Sequence, residues 1–239
     1  MLEPSHPSIL TRPIECPIPL VRLPSCSLTV SWAEIRVSFY LIDHIEQGTS
    51  EWLAWRKGVI GASDAPTIMG ENPWASPTRL LEEKLGLHRE FGGNAVTREG
   101  HELEIYARRE LAKKSTGALR PTIVQDSSDP FLAASLDGID ATNAHIFEIK
   151  CGAKAYELAR RARTVPSYYF AQLQHMLMVT QLDVVCYAAY RPHEPLITFD
   201  VFRDESYIKG LRKKEMQFID VLGGRGHKVQ KEFYGSKIH

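Results

Sequence analysis

The sequence predicts an α/β domain in which a mixed central sheet is layered with helices. Residues 146–150 alternate apolar and charged side chains in the way that strands do. Residues 76–86 begin with a capping serine and a proline and end with a glycine, which is typical of a complete helix. Along the chain, helices precede a run of strands, and a helix, two strands and a terminal helix follow. That order predicts a layered domain.

The composition limits the class of protein. A chain of 239 residues can form one large domain with a substantial core. Its formal net charge is zero, so any contact with nucleic acid must come from a local basic face. No apolar run approaches the roughly 20 residues that a membrane helix needs, and the N-terminus does not resemble a signal peptide.

The cysteines indicate a reducing compartment. They are scattered and lack the paired spacing of a zinc site or a disulfide framework. We therefore expect a cytoplasmic protein with free thiols. The four are Cys16, Cys26, Cys151 and Cys186.

The first part of the chain divides at about residue 44. Residues 1–44 contain six prolines, so we expect a leader that is poorly ordered in part, with a candidate strand within residues 28–42. A short amphipathic helix is predicted at residues 51–56. Ser63 is a plausible N-cap for a helix that runs through Met69, and a helix N-terminus near Arg56 could bind a phosphate. Most serine N-caps, however, only cap.

A longer helix is predicted from about residue 98 to residue 114. One of its stripes is small or apolar except for a carboxylate, which is costly to bury without a cation. Glu104 is therefore the helix carboxylate that we expect to face a site, whereas Glu99, Glu102 and Glu110 are expected in solvent. The stripe consists of Gly100, Glu104, Ala107 and Leu111.

The main candidate site lies at the next strands, predicted at residues 119–125, 131–135 and 146–150. Glu148 and Lys150 share one face of the last strand, and Ile149 points to the opposite layer. If Asp137, next to Gly138 at the end of its strand, returns beside them, two carboxylates and an ammonium meet. Such a group can hold Mg²⁺ and orient or deprotonate a water. Alternatively, Asp-Gly is simply a turn and the Glu/Lys pair is a solvated surface.

The region after Lys150 is rich in cations, which indicates either a solvated face or the path of a duplex. They are Lys154, Arg160, Arg161 and Arg163, opposed by Glu157. Further elements are predicted: a helix at residues 168–180, strands at 184–190 and 196–202, and a helix at 205–222. Gln172 and His175 on the first of these helices are typical of buried, satisfied polar groups, and His175 is assigned no metal role. The predicted domain spans residues 45–225, with a tail at 226–239.

Four motifs together resemble the family of phage lambda exonuclease and the YqaJ viral recombinases. They occur in the family's order between about residues 45 and 222. The motifs are Gln47-Gly48 with Trp52, Arg56, Gly58-Val59-Ile60 and Ala62-Ser63; Gly100-x-x-x-Glu104; Ser135-Leu136-Asp137-Gly138 with Glu148-Ile149-Lys150-Cys151; and the segment from Tyr169 to Thr180 that contains Gln172. The third is similar to the metal-binding signature of the PD-(D/E)xK superfamily.

This resemblance implies a PD-(D/E)xK restriction-endonuclease-like core and assigns roles to residues. Asp137, Glu148 and the Ile149 carbonyl would hold Mg²⁺, with Mn²⁺ as a substitute, and Glu104 would support a second ion. Lys150 would position or activate the water, and Gln172 would orient groups around it. Contacts to phosphate or DNA would come from Arg56, Ser63 and Lys154.

The resemblance further implies a 5′→3′ exonuclease on linear double-stranded DNA with a 5′-phosphate. It would release mononucleotides and leave a 3′ single-stranded tail for recombination. A homotrimer ring and a single-strand annealing protein would be the partners. Two other classes stay open: a structure-specific or restriction-type endonuclease with the same site, and a non-catalytic DNA-binding scaffold. The intact set of Asp137, Glu148 and Lys150 argues against the scaffold.

Overall fold

The computed structural model describes residues 39–87, 95–114 and 117–234; of residues 95–99 and 224–234 only the backbone is described. Within these ranges the strands are β1 (Phe39–Ile42), β2 (Ile60–Gly61), β3 (Arg120–Asp126), β4 (Leu132–Ile139), β5 (Ile146–Cys151), β6 (Val184–Tyr190) and β7 (Ile197–Phe202). The helices are α1 (Ser50–Arg56), α2 (Ala65–Met69), α3 (Pro77–Lys84), α4 (Ala95–Ala112), α5 (Ala153–Ala162), α6 (Phe170–Thr180) and α7 (Glu205–Tyr234).

In the described part of the chain, the strands form one mixed sheet in the order β1-β3-β4-β5-β6-β7, and the short β2 pairs with β4. The β5–β6 and β2–β4 pairs are parallel, and the other pairs are antiparallel. The predicted α/β fold with a mixed central sheet is confirmed. A parallel β5–β6 pair requires a crossover, and α5 and α6 supply it.

Helices cover the sheet on two sides. α6 is buried along its length, and Leu173, Met176 and Leu177 belong to the main core. On α4, Ala107 and Leu111 pack instead with Phe147 and Ile149 of β5, in a second apolar cluster. Because successive side chains of a strand point to opposite faces, Glu148 is directed toward the α6 side. The predicted orientation of Ile149 away from Glu148 is therefore confirmed.

The predicted N-cap at Ser63 is wrong. Residues Ala62–Asp64 form a 3₁₀ turn that leads directly into α2, so the backbone before α2 is already helical. An N-cap residue has an extended backbone, and here the extended residue is Gly61, whose N–H donates to Oδ2 of Asp64 at 2.8 Å. The predicted phosphate site at the N-terminus of this helix is not supported, because α2 has only five residues.

Several boundaries also differ from those predicted. β4 extends to Ile139, so Asp137 lies within this strand instead of beyond its end. α5 was not predicted. Charged residues dominate its sequence, and its buried side chains, Tyr156 and Ala159, are too few to make an apolar pattern evident. α7 continues to Tyr234, past the predicted end at residue 222, since an established helix gains a hydrogen bond with each added residue.

Some expectations for the two ends of the chain fall outside what the structure describes. Residues 1–38, which hold most of the proline-rich leader with Cys16 and Cys26, are among them. Phe39–Ile42, which lie near the end of the predicted leader, form β1, and this strand pairs with β3 at the edge of the sheet. Neither Cys151 nor Cys186 takes part in a disulfide within the part of the chain that the structure describes. None of the described helices is both long and apolar enough to cross a membrane.

Candidate active site

The β4–β5 hairpin places Asp137 beside Glu148. The paired residues nearest to them are Gly138 and Phe147. Beyond this pair, toward Asp137 on β4 and Ile149 on β5, Oδ2 of Asp137 accepts a hydrogen bond from the backbone N–H of Ile149 at 2.8 Å. A carboxylate here takes a bond that a strand carbonyl would otherwise accept, and this holds the Asp137 side chain next to β5.

Glu148 is 2% exposed and is held by two neighbours. Nε2 of Gln172, on α6, donates to its Oε1 at 2.6 Å. Nζ of Lys150 lies 2.5 Å from the same oxygen. Strand alternation predicted that Glu148 and Lys150 share a face, the family resemblance added Gln172, and the structure brings the three side chains together.

Glu104 reaches the same region from α4. Its carboxylate lies 3.0 Å from Nδ1 of His101 and 3.5 Å from Nη1 of Arg108. The same Nη1 donates to the backbone carbonyl of Asp137 at 3.1 Å. Arg108 therefore joins the helix carboxylate to β4. Sequence reasoning missed Arg108, although its position one turn after Glu104 is the spacing at which helical side chains meet.

A close approach of α4 to β5 makes this arrangement possible. A Cβ added to Gly100 would lie 3.4 Å from the carbonyl oxygen of Cys151. This is an ordinary contact distance for a methyl group, so a residue no larger than alanine lets the helix backbone lie this close to the end of the strand that carries Lys150.

The three carboxylates act on one another electrostatically. Burial raises the pKa of Asp137 well above its usual range, and the charges of Glu148 and Glu104 raise it further. Burial also raises the pKa of Glu104, against the opposing effects of His101 and Arg108. Negative charge is thus accumulated here at a cost, which a bound cation would offset.

Lys150 carries the opposite charge. Burial would lower the pKa of its ammonium, but the carboxylates of Glu148 and Asp137 outweigh burial and raise this pKa. In this arrangement Lys150 is therefore protonated, and its ammonium can orient an oxygen.

The donor set fits a hard divalent cation, which prefers carboxylate and carbonyl oxygens. Within the described ranges, however, no three His, Cys, Asp or Glu side chains already converge as a metal-binding group. The carboxylates are near enough to shift one another's pKa, yet each faces its own partner, such as Lys150 for Glu148 and His101 for Glu104. An ion bound here would compete with these partners for the carboxylate oxygens.

Arg56 and Ser63 form a second polar group. Nη2 of Arg56 donates to Oγ of Ser63 at 2.7 Å, and the guanidinium lies 4.6 Å from the centre of the Trp52 ring. Nε1 of Trp52 donates to Oγ of Ser135 on β4. Because β2 also pairs with β4, this group is attached to the strand that carries Asp137.

Gln47, the first residue of the same motif, donates hydrogen bonds to the backbone of two strands. Its Nε2 donates to the carbonyls of Thr122 and Leu136 at 3.0 and 3.2 Å. The pairing of β3 with β4 is irregular between Arg120 and Thr122. Gln47 supplies hydrogen bonds where the ladder is interrupted, directly beside Asp137.

Aromatic rings connect Lys150 with Lys154. Nζ of Lys150 lies 4.8 Å from the Tyr169 ring, and Nζ of Lys154 lies 5.2 Å from the Trp74 ring. Tyr168 contacts both rings. Trp74 is 65% exposed. Sequence reasoning assigned Lys154 to DNA but missed the rings, because the spacing between Trp74 and Tyr168 carries no signal.

Two arginines of the basic region after β5 share one carboxylate. Arg160 and Arg161 on α5 both contact the carboxylate of Glu157, at 2.8 and 2.6 Å. Each side chain is largely exposed, so these pairs are screened by solvent. Lys154 also belongs to this basic region, and its ammonium lies over the Trp74 ring.

The chain is similar to known proteins in sequence and in fold. The chain is 27% identical over 199 residues to the protein YqaJ of Bacillus subtilis, an alignment that spans 77% of the chain and 60% of that protein's length. It is also 27% identical to protein R354 of Acanthamoeba polyphaga mimivirus over 165 residues, which span 59% of the chain and 28% of that protein. The chain therefore spans less than two thirds of either relative.

The fold is similar to that of an alkaline exonuclease, LHK-Exo, from Laribacter hongkongensis. The TM-score is 0.66 at 21% identity, covering 77% of this chain and 97% of that one. The same enzyme has been solved in complex with dAMP, with a TM-score of 0.65. These similarities show a shared exonuclease fold.

A family model, the YqaJ-like viral recombinase domain, matches residues 51–183. This match contains Arg56, Glu104, Asp137, Glu148 and Gln172, and it covers more than half of the chain. The chain therefore belongs to the YqaJ-like viral recombinase family.

Proposed function

We propose that this protein is a metal-dependent 5′→3′ exonuclease that degrades one strand of linear double-stranded DNA. It releases mononucleotides and leaves a 3′ single-stranded tail for recombination. The observation that carries the proposal is the meeting of Asp137, Glu148 and Lys150 on the neighbouring strands β4 and β5, with Glu104 joined to them through Arg108.

Asp137, Glu148 and the Ile149 carbonyl would hold Mg²⁺ or Mn²⁺, with Glu104 at a second ion, and the metal would supply Lewis-acid activation of water and phosphate. Gln172 fixes the orientation of Glu148 by its hydrogen bond. Lys150 offers an ammonium that can orient the attacking water or a phosphate oxygen. The Ile149 N–H keeps Asp137 from rotating away.

Arg56 and Ser63 are the proposed contacts for the 5′-phosphate. A guanidinium and a hydroxyl 2.7 Å apart both suit phosphate oxygens. Lys154, beside the exposed Trp74, would contact the DNA backbone. The complex of LHK-Exo with dAMP supports a mononucleotide as the product.

The test uses linear duplex DNA labelled separately at each end, with Mg²⁺ or with a chelator. We expect release of labelled mononucleotide from the 5′ end, and none with the chelator. Release from the 3′ end first would overturn the polarity. A closed circular duplex is the control, and its cleavage would favour the endonuclease alternative.

Two partners belong to the same proposal: a homotrimer ring around the DNA, and a single-strand annealing protein that receives the 3′ tail. The family membership and the exonuclease fold support DNA as the substrate. The ring would keep the enzyme on its substrate, and the annealing protein would use the product.

A further inference from the structure

Lys84 is a buried cation outside the carboxylate site. Its side chain is 6% exposed, and its Nζ has three acceptors. They are the carbonyl oxygens of Arg56 and Val59, at 3.0 and 2.6 Å, and Oδ2 of Asp64 at 2.8 Å. An ammonium has three N–H donors, so each donor has an acceptor. Lys84 thereby ties α3 to the segment between Arg56 and Asp64.

Asp64 has two cationic neighbours. Lys84 lies 2.8 Å from Oδ2, whereas Nη2 of Arg56 lies 3.9 Å from Oδ1. Asp64 is itself buried, with 7% of its side chain exposed. In such surroundings the attraction between charges is strong and depends on distance, so the nearer Lys84 is the main partner of Asp64.

Arg56 is consequently directed elsewhere. Its guanidinium donates to Ser63 and lies over Trp52, and 30% of its side chain is exposed. Without Lys84, the buried carboxylate of Asp64 would have Arg56 as its remaining cation among these contacts. Arg56 would then turn toward Asp64, and its charge would be neutralised.

We propose that Lys84 is the counter-ion that keeps Asp64 from neutralising Arg56, and so determines how strongly Arg56 and Ser63 hold a DNA 5′-phosphate. Lys84 acts through Arg56 and is a positioning residue. This inference rests on the proposed function, in which Arg56 and Ser63 contact that phosphate. A purely structural Lys84, which only anchors the Arg56 and Val59 carbonyls, is the competing explanation.

The first experiment removes the charge of Lys84 and retains its capacity to donate. Lys84→Gln should raise KM for 5′-phosphorylated duplex about tenfold, as expected for loss of a charged hydrogen bond. The value of kcat should stay within about twofold, because the carboxylate site is untouched. The preference for 5′-phosphate over 5′-hydroxyl ends should fall with the rise in KM.

The second experiment separates charge from structure. Adding Asp64→Asn to Lys84→Gln removes the carboxylate that would capture Arg56, so KM and the 5′-phosphate preference should recover. In this double variant the Arg56 and Val59 carbonyls still lack the ammonium of Lys84, so a recovery of KM cannot come from restored anchoring of these carbonyls. Failure of KM to recover would overturn the inference in favour of a structural Lys84.

Two further variants complete the design. Lys84→Arg retains the charge and should retain the 5′-phosphate preference, and it tests the inference if Lys84→Gln does not fold. Loss of preference in folded Lys84→Arg would overturn it. Lys113→Gln, which removes an exposed cation paired with Glu110 on α4, is the control for charge loss and should change neither KM nor preference.

Arg56→Ala is measured in parallel, so that the two levels of the proposal can be distinguished. An unchanged end preference in Arg56→Ala overturns both the phosphate role of Arg56 and the role of Lys84. A reduced preference in Arg56→Ala together with an unchanged preference in Lys84→Gln overturns only the role of Lys84.

Discussion

At the scale of single residues, the chemistry depends on the charge state of Lys150. The carboxylates of Glu148 and Asp137 outweigh burial and raise its pKa, so the ammonium persists at neutral pH. A fixed cation beside a phosphodiester stabilises the negative charge that develops during hydrolysis. Lys150 is thus expected to contribute to the rate of cleavage and little to the binding of duplex.

Lys150→Ala should reduce kcat on the order of 10³-fold, the scale of losing one preorganised electrostatic contact. Duplex binding, measured by gel shift in chelator, should stay within about twofold, because contacts remote from the reaction centre are retained. A variant that keeps substantial cleavage activity would remove Lys150 from the mechanism.

Arg108 is expected to position groups of the same site. It contacts both the Glu104 carboxylate and the Asp137 carbonyl. Arg108→Gln should lower kcat about tenfold, because Glu104 loses the cation that directs it toward β4. Cleavage assays at saturating DNA would measure this loss. An exposed arginine outside this site, Arg79→Gln, provides the matched control and should leave kcat unchanged.

At the scale of elements, α4 is positioned by Gly100. Alanine fits there at ordinary contact distance and should stabilise the helix by roughly 1 kcal/mol, because glycine is a poor helix former. The branched side chain in Gly100→Val would collide with the Cys151 carbonyl and displace Glu104. We expect Gly100→Ala to keep its activity and Gly100→Val to lose about tenfold in kcat while remaining folded. Equal activity of both variants would contradict this role.

A buried ion pair joins α6, α7 and β4. Nδ1 of His175 lies 2.7 Å from the Glu215 carboxylate, and Nε2 faces the Ala133 carbonyl at 2.9 Å. Burial would lower the pKa of His175, but the charge of Glu215, with smaller effects of Ala133 and Asp64, raises it. The structural role expected for this histidine agrees with these contacts.

This pair predicts how stability depends on pH. Because the pKa of His175 is higher in the folded chain than its unfolded value of about 6.5, the stabilisation is complete below that pH and is lost as pH rises through the folded pKa. The urea midpoint should therefore fall above about pH 6.5, and His175→Gln should remove this component of the slope. The same slope in both proteins would contradict the assignment.

At the scale of the whole molecule, the proposed ring would encircle DNA although the protein itself carries no net charge. The chain has a net charge of zero, so enclosure and local contacts must replace general attraction. Ile105 and Tyr106 on α4 are about half exposed in the described chain. A ring requires a head-to-tail interface that closes after a fixed number of copies.

Light scattering should therefore give a mass three times the 27.0 kDa of one chain. The expectation derives from the family resemblance. A monomer at micromolar concentration would contradict the ring.

Local patterns were sufficient for much of the fold and for part of the site. The Ser76 cap was predicted correctly, and its Oγ accepts from the Arg79 N–H, because caps depend on neighbours in sequence. The shared face of Glu148 and Lys150 follows from the alternation of a strand. The cap at Ser63 was predicted wrongly, since the 3₁₀ turn before α2 depends on a carboxylate, Asp64, that is held by the distant Lys84.

The sequence by itself determined which carboxylates and which lysine are the candidates for the proposed chemistry, because strand alternation, helix stripes and motif order are local properties of the chain. Only the tertiary structure decided which partners those residues have. Arg108 meets Asp137 across 29 positions, and Gln172 meets Glu148 across 24. Contacts between distant segments form when packing of the layers brings these segments together. The spacing of residues within one segment therefore does not predict such contacts.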